Sequence, residues 1–137
     1  MKSVLVVDDE PLILEIIQEA LVAGGYRVLT ANGGDTAFQI LQREAIDLVL
    51  LDVEMPGKNG FTLCKEIGAQ YQVPMLFVTG CTRSFSGKRE DFVALWNSQF
   101  TLGTTDILYK PFTLALLNEK VEALIGEGDA VTHGQNR

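Results

Sequence analysis

Asp47-Leu48-Val49-Leu50-Leu51-Asp52-Val53-Glu54-Met55-Pro56-Gly57-Lys58-Asn59-Gly60 is the stretch that decides the fold. Its first part is apolar at every position from Leu48 to Leu51, with no polar alternation. A strand of that kind is covered on both faces, which is the condition of a parallel sheet wrapped by helices. The run ends on a carboxylate, Asp52, and then meets Met55-Pro56-Gly57, whose residues favour a turn.

The same outline recurs on either side. Val4 to Val7 is a continuous apolar run ending in Asp8-Asp9-Glu10, and Met75 to Val78 is another, ending in Thr79-Gly80. Two weaker runs, Arg27 to Ala31 and Ile107 to Tyr109, have the composition of strands at the sheet edges. Helical patterns lie between the strands. Pro11 suits the first turn of a helix, and Ile13, Ile16, Ile17, Ala20 and Leu21 mark one apolar face before Gly24-Gly25 stops it. Asp35 is placed to cap a second helix that turns Ala37, Phe38, Ile40 and Leu41 inward. A third is expected from about Phe61 to Ala69, burying Leu63, Cys64 and Ile67, and a fourth over roughly Arg89 to Asn97. A fifth begins near Thr113 and carries Leu114, Leu117, Val121, Leu124 and Ile125. Strands alternating with helices give an α/β fold with right-handed crossovers. These patterns leave the strand order open.

The chain has 137 residues, 47% of them hydrophobic, which suits one domain with a core of its own. We expect that domain to span residues 1–126, followed by a polar tail over 127–137. The net charge of −7 repels phosphate backbones, so no direct nucleic-acid contact is expected. Charged or polar residues interrupt every apolar run before it reaches membrane-spanning length. The N-terminus lacks the long apolar stretch of a signal peptide, which predicts a cytoplasmic protein. Cys64 and Cys81 form no CxxC and read as reduced thiols. His133 is the single histidine, which excludes a histidine-based metal site or catalytic triad.

In a parallel sheet every strand's C-terminal end emerges on one edge, where ligands bind. That edge gathers Asp8-Asp9-Glu10, Asp52, Thr79-Gly80 and Tyr109-Lys110-Pro111. Each feature alone has a plain reading: a solvated helix start, a turn, an unremarkable threonine, an exposed lysine. Their meeting on one edge is what carries weight. Asp8, Asp9 and Asp52 are like charges brought close, a conflict that a hard cation removes. Mg²⁺ suits such a site because it takes a few carboxylates and shares its remaining positions with phosphate oxygens. Lys110 and the Thr79 hydroxyl could hold phosphoryl oxygens, and a carboxylate can attack phosphorus to give an aspartyl phosphate.

At these residues, and at Val78-Thr79-Gly80 and Lys110-Pro111-Phe112, the chain resembles the receiver domain of bacterial response regulators from Lys2 to about Gly126. The resemblance implies a flavodoxin-like, doubly wound, five-stranded parallel sheet of order 2-1-3-4-5 with five helices. It implies phosphorylation of Asp52 by a histidine kinase or histidine phosphotransfer protein, and a downstream protein partner switched by it. Asp8, Asp9, Asp52 and the backbone carbonyl of Glu54 would hold Mg²⁺, while Thr79, Gly80 and Lys110 would bind the phosphoryl group. We read the chain as a stand-alone phosphoacceptor in preference to a fragment of a longer regulator, with at most self-phosphorylation and autodephosphorylation and no small-molecule substrate. Three departures stand out. Ile107 occupies the place of an aromatic switch residue three before the lysine, with Tyr109 the nearest aromatic. Gly80 replaces a small residue such as alanine. Thirty residues separate Thr79 from Lys110, more than is usual, and the excess falls in Cys81 to Gln99. We read that segment as a partner-binding or switching element.

Other classes fit less well. An aspartyl-phosphate phosphohydrolase resembles Asp-x-Asp after a strand, whereas here Asp52 is followed by Val53-Glu54. A flavodoxin needs a Ser/Thr/Gly-rich phosphate loop where this chain has Asp8-Asp9-Glu10. A degenerate receiver acting as a scaffold would lack phosphorylation residues that are present here.

Overall fold

The computed structural model describes residues 1–52, 60–79, 105–109, 111–126 and 128. Its elements run β1 (Ser3–Val7), α1 (Pro11–Ala23), β2 (Arg27–Ala31), α2 (Gly34–Arg43), β3 (Leu48–Asp52), α3 (Gly60–Gln70), β4 (Met75–Thr79), β5 (Thr105–Tyr109) and α4 (Leu114–Ile125). The five strands form one sheet of order β2-β1-β3-β4-β5. Every pairing is parallel. The two strands of mixed composition are indeed the edges. This is the flavodoxin-like arrangement that the resemblance implies.

Side chains alternate across the pleat, and each face buries its own set. Leu5, Val7, Val49, Leu51, Met75 and Phe77 pack beneath α2 and α3, against Ala37, Ile40, Leu41, Leu63, Cys64 and Ile67. Val4, Val6, Leu48, Leu50, Leu76, Val78 and Leu108 pack on the other face with Ile17, Ala20 and Leu21 of α1 and Leu117 and Val121 of α4. The continuous apolar runs therefore feed two cores at once. Each helix buries a stripe, spaced i, i+3, i+4 in α1 and α2, i, i+1, i+4 in α3 and i, i+4 in α4, as an amphipathic helix on a sheet must.

Several boundaries follow from local chemistry. Pro11 opens α1, and Gly25, at φ 93°, takes the left-handed conformation that lets the chain turn into β2. The Thr113 side chain caps α4 by accepting a hydrogen bond from the Leu116 N–H at 3.0 Å.

Three expectations need correction. Ile16 is 42% exposed rather than inward. At 100° per residue it stands a full step off the stripe through Ile17 and Leu21, and only the narrower stripe meets the sheet. Leu114 is also exposed, because it is the first residue of α4, at the open edge and one turn before the buried run begins at Leu117. Asp35 does not cap α2. The cap position is Gly33, so Asp35 lies inside the first turn, where its charge meets the positive end of the helix dipole. Four helices are seen among the described residues. The helix expected over Arg89 to Asn97 and the tail residues 127 and 129–137 lie outside them.

Candidate phosphoryl and metal site

The site is built by the register of the strands. Val7 of β1 is paired with Leu51 of β3, so one further residue sets Asp8 beside Asp52 at the C-terminal edge. Asp52 is in turn paired with Val78 of β4, and Thr79 with Tyr109 of β5. The backbone thus lines up Asp8, Asp52, Thr79 and the residue before Lys110 along adjacent strand ends. The doubly covered cores lie directly behind them, which fixes each position from below.

Asp8 is held in two ways. Its N–H donates to the Ala31 carbonyl at 3.1 Å, extending the ladder to β2 by one bond. Its carboxylate accepts a hydrogen bond from the Glu10 N–H at 2.9 Å. A short acidic side chain that bonds the backbone two residues on makes its own turn, and this turn launches α1. Sequence reasoning missed this second task of Asp8. The signal was present, since an aspartate two residues before a Glu-Pro helix start invites that turn.

Asp8 and Asp52 are each only 2% exposed, while Asp9 is more open to solvent. One carboxylate oxygen from each of the three lies within 4.8 Å of the others. Among the described residues this is the group of acidic side chains able to hold a metal ion. Oxygen donors alone, two of them recessed and one facing water, suit a hard cation that keeps some of its water, as Mg²⁺ does.

Of the remaining expected residues, Thr79 is the last residue of β4. Glu54, Gly80, Lys110 and the segment 81–99 lie outside the described residues. Ile107 is partly buried against the core beneath α2 and α3, and alternation puts Tyr109 on the same face of β5. Leu108, between them, joins the opposite core. The aliphatic side chain at the expected switch position is therefore a packing residue. Among the described residues, no helix is long and apolar enough to cross a membrane.

Comparison with known proteins bears on this arrangement. The family model for the response regulator receiver domain matches residues 4–122. The alkaline phosphatase synthesis transcriptional regulatory protein PhoP of Bacillus subtilis is 34% identical over 125 residues, covering 90% of this chain and 48% of the relative. The probable transcriptional regulator ycf27 of Porphyra purpurea is 31% identical over 131 residues, covering 96% and 50%. The chain thus spans about half the length of these curated relatives. Among solved structures, the response regulator TrrA of Thermotoga maritima, in complex with Mg(2+)-BeF, superposes with a TM-score of 0.73 at 33% identity, covering 90% of this chain and 99% of that one. The chemotaxis protein CheY4 of Vibrio cholerae gives 0.75 at 29% identity, covering 90% and 98%.

Proposed function

The chain belongs to the response regulator receiver family of two-component signalling, and on that footing we propose that it accepts a phosphoryl group on Asp52. The observation that carries this reading is the meeting of Asp8, Asp9 and Asp52 at the ends of two adjacent strands, their oxygens within 4.8 Å. Apart from the turn that Asp8 closes with Glu10, such a cluster has little structural use of its own, since it concentrates negative charge at a partly buried point.

Asp52 is the nucleophile of choice because it ends a strand fixed from below by both cores, at the C-terminal edge where ligands of a parallel sheet bind. A carboxylate oxygen of Asp52 attacks phosphorus in line with the bond to the donor's imidazole nitrogen. That bond breaks, the imidazole departs and takes a proton from solvent, and an acyl phosphate remains. Asp8, Asp9, Asp52 and the Glu54 backbone carbonyl would hold Mg²⁺, which supplies neutralisation of the carboxylates and of the incoming phosphoryl oxygens. The Mg(2+)-BeF complex of the Thermotoga relative supports that choice of ion. Thr79, Gly80 and Lys110 bind the phosphoryl group once it is transferred.

The donor is a histidine kinase or a histidine phosphotransfer protein, and the output is altered binding of a downstream protein in the cytoplasm. The chain acts as a phosphoacceptor rather than as an enzyme turning over a substrate. Incubation with acetyl phosphate, with Mg²⁺ or with a chelator, followed by intact mass, tests the reading. Wild type should gain one phosphoryl group only with Mg²⁺, and Asp52→Asn should gain none while remaining folded. Labelling of Asp52→Asn to the wild-type extent would sink the assignment.

A further inference from the structure

The end of α4 is tied down at the edge of the sheet opposite the acidic cluster. The Tyr26 hydroxyl donates a hydrogen bond to the Gly126 carbonyl at 2.8 Å, and Tyr26 is itself buried. The Lys2 ammonium donates to the Ile125 carbonyl. Gly126 leaves the helix at φ 88°, a conformation that favours glycine. Gly128 then lies against the turn between α1 and β2. A Cβ built there would fall well inside contact distance of the Gly24 carbonyl oxygen and 2.9 Å from the Gly25 carbonyl carbon. Both are backbone atoms that have no side-chain freedom to yield. Lys2 precedes β1, Gly24 and Gly25 end α1, and Tyr26 precedes β2, so all the partners sit at the N-terminal edge of the sheet.

We propose that Gly126 and Gly128 form a clasp that seats the chain leaving α4 on the Gly24-Gly25 turn. Whatever follows residue 128 is thereby tethered at the far end of α1 from Asp8, Asp9 and Asp52. The acidic edge is left clear for a phosphodonor, and the chain leaves the domain at the opposite end. Because its seat is the C-terminal turn of α1, the exit moves with that helix.

The clasp holds both neighbours of Glu127, so an endoprotease specific for glutamate reports on it directly. The full chain, Gly128→Val and Tyr26→Phe are digested under native conditions, and the fragment ending at Glu127 is followed by mass. Cleavage in a clasped segment tracks the open population, so each variant should release that fragment roughly tenfold faster than wild type. Leu12→Gln, at an exposed position near the start of α1 and away from these contacts, should match wild type. If Gly128→Val folds poorly, a chain ending at Gly126 serves instead, read by the amide shifts of Gly24, Gly25 and Tyr26. Those shifts should move when residue 128 is removed. Equal cleavage rates in all variants, or unmoved Gly24 and Gly25 amides in the shortened chain, would overturn the clasp.

Discussion

Replacing Asp9 by asparagine should stabilise the metal-free protein and weaken its response to Mg²⁺. Three carboxylates lie with their nearest oxygens no more than 4.8 Å apart. At that separation each like-charged pair costs about 0.9 kcal/mol in a water-like medium and about 3.5 kcal/mol at an effective dielectric of 20. Asp9 faces two such partners but is the most solvated of the three, so the low end applies. Asparagine keeps the shape and removes the charge, and the expected gain is about 1–2 kcal/mol on the same scale. For a small domain, with a urea dependence of about 2 kcal/mol per molar, that moves the midpoint upward by roughly half to one molar.

Magnesium should reverse the order. A ligand bound only to the folded state adds about 2.7 kcal/mol at a hundred times its Kd, and the wild type, with its full set of carboxylates, gains more of this than Asp9→Asn. The two proteins therefore cross. The variant is the more stable in a chelator, and the wild type the more stable with saturating Mg²⁺. Sodium chloride near 1 M, where the screening length is about 3 Å, should shrink the variant's advantage in the chelator without reproducing the magnesium effect. Urea unfolding at matched ionic strength measures all three. An Asp9→Asn protein less stable than wild type in the chelator, or one gaining as much from Mg²⁺, would refute the idea that these carboxylates share a cation.

Other expectations concern the scaffold. Phe77→Ala should cost about 3–5 kcal/mol of unfolding free energy, since Phe77 is fully buried between β4 and its covering helices. Ile17→Ala should cost about 2–5 kcal/mol by the same reasoning, while its exposed neighbour Ile16→Gln should change stability by less than about 0.5 kcal/mol. Equal costs at the two positions would mean that α1 is rotated from the orientation described. Burial pushes the Cys64 thiol from its ordinary 9.0 up to about 12. The folded state therefore keeps a proton that the unfolded chain gives up above pH 9, so the contribution is complete below pH 9 and is lost as pH rises towards the folded value. Urea midpoints should fall more steeply over that window for wild type than for Cys64→Ala, and iodoacetamide should modify Cys64 only on unfolding.

The strands were legible because their composition is extreme. Leu48 to Leu51 or Val4 to Val7 could only be covered on both faces, and the two-sided cores place them so. The helices were legible as elements and less so as faces. Ile16 and Ile17 are equivalent in hydrophobicity, and only the width of the stripe that meets the sheet decides between them. Asp35 shows the same limit at a helix end. A good capping residue stood in the sequence, but the helix already begins at Gly34, with Gly33 in the cap position two residues sooner.

The acidic site was legible for a different reason: in a parallel sheet topology does the assembling. Asp8 and Asp52 are 44 residues apart in the chain, yet each is the residue at which an apolar strand meets the edge. Register then brings them together without any side chain having to search. What the sequence could not supply was depth. Both carboxylates are as buried as the core around them, although neighbouring residues of the same type, Asp9 and Glu10, face water. That difference follows from where each falls relative to the last ladder bond, Asp8 N–H to Ala31 carbonyl, and from the turn that Asp8 itself closes with Glu10. A recessed pair with one solvent-facing companion concentrates charge where the protein gains least from it. The same arrangement favours a cation and, through the cation's charge, an incoming phosphoryl group, so the instability of the metal-free edge and its proposed chemistry have one physical origin.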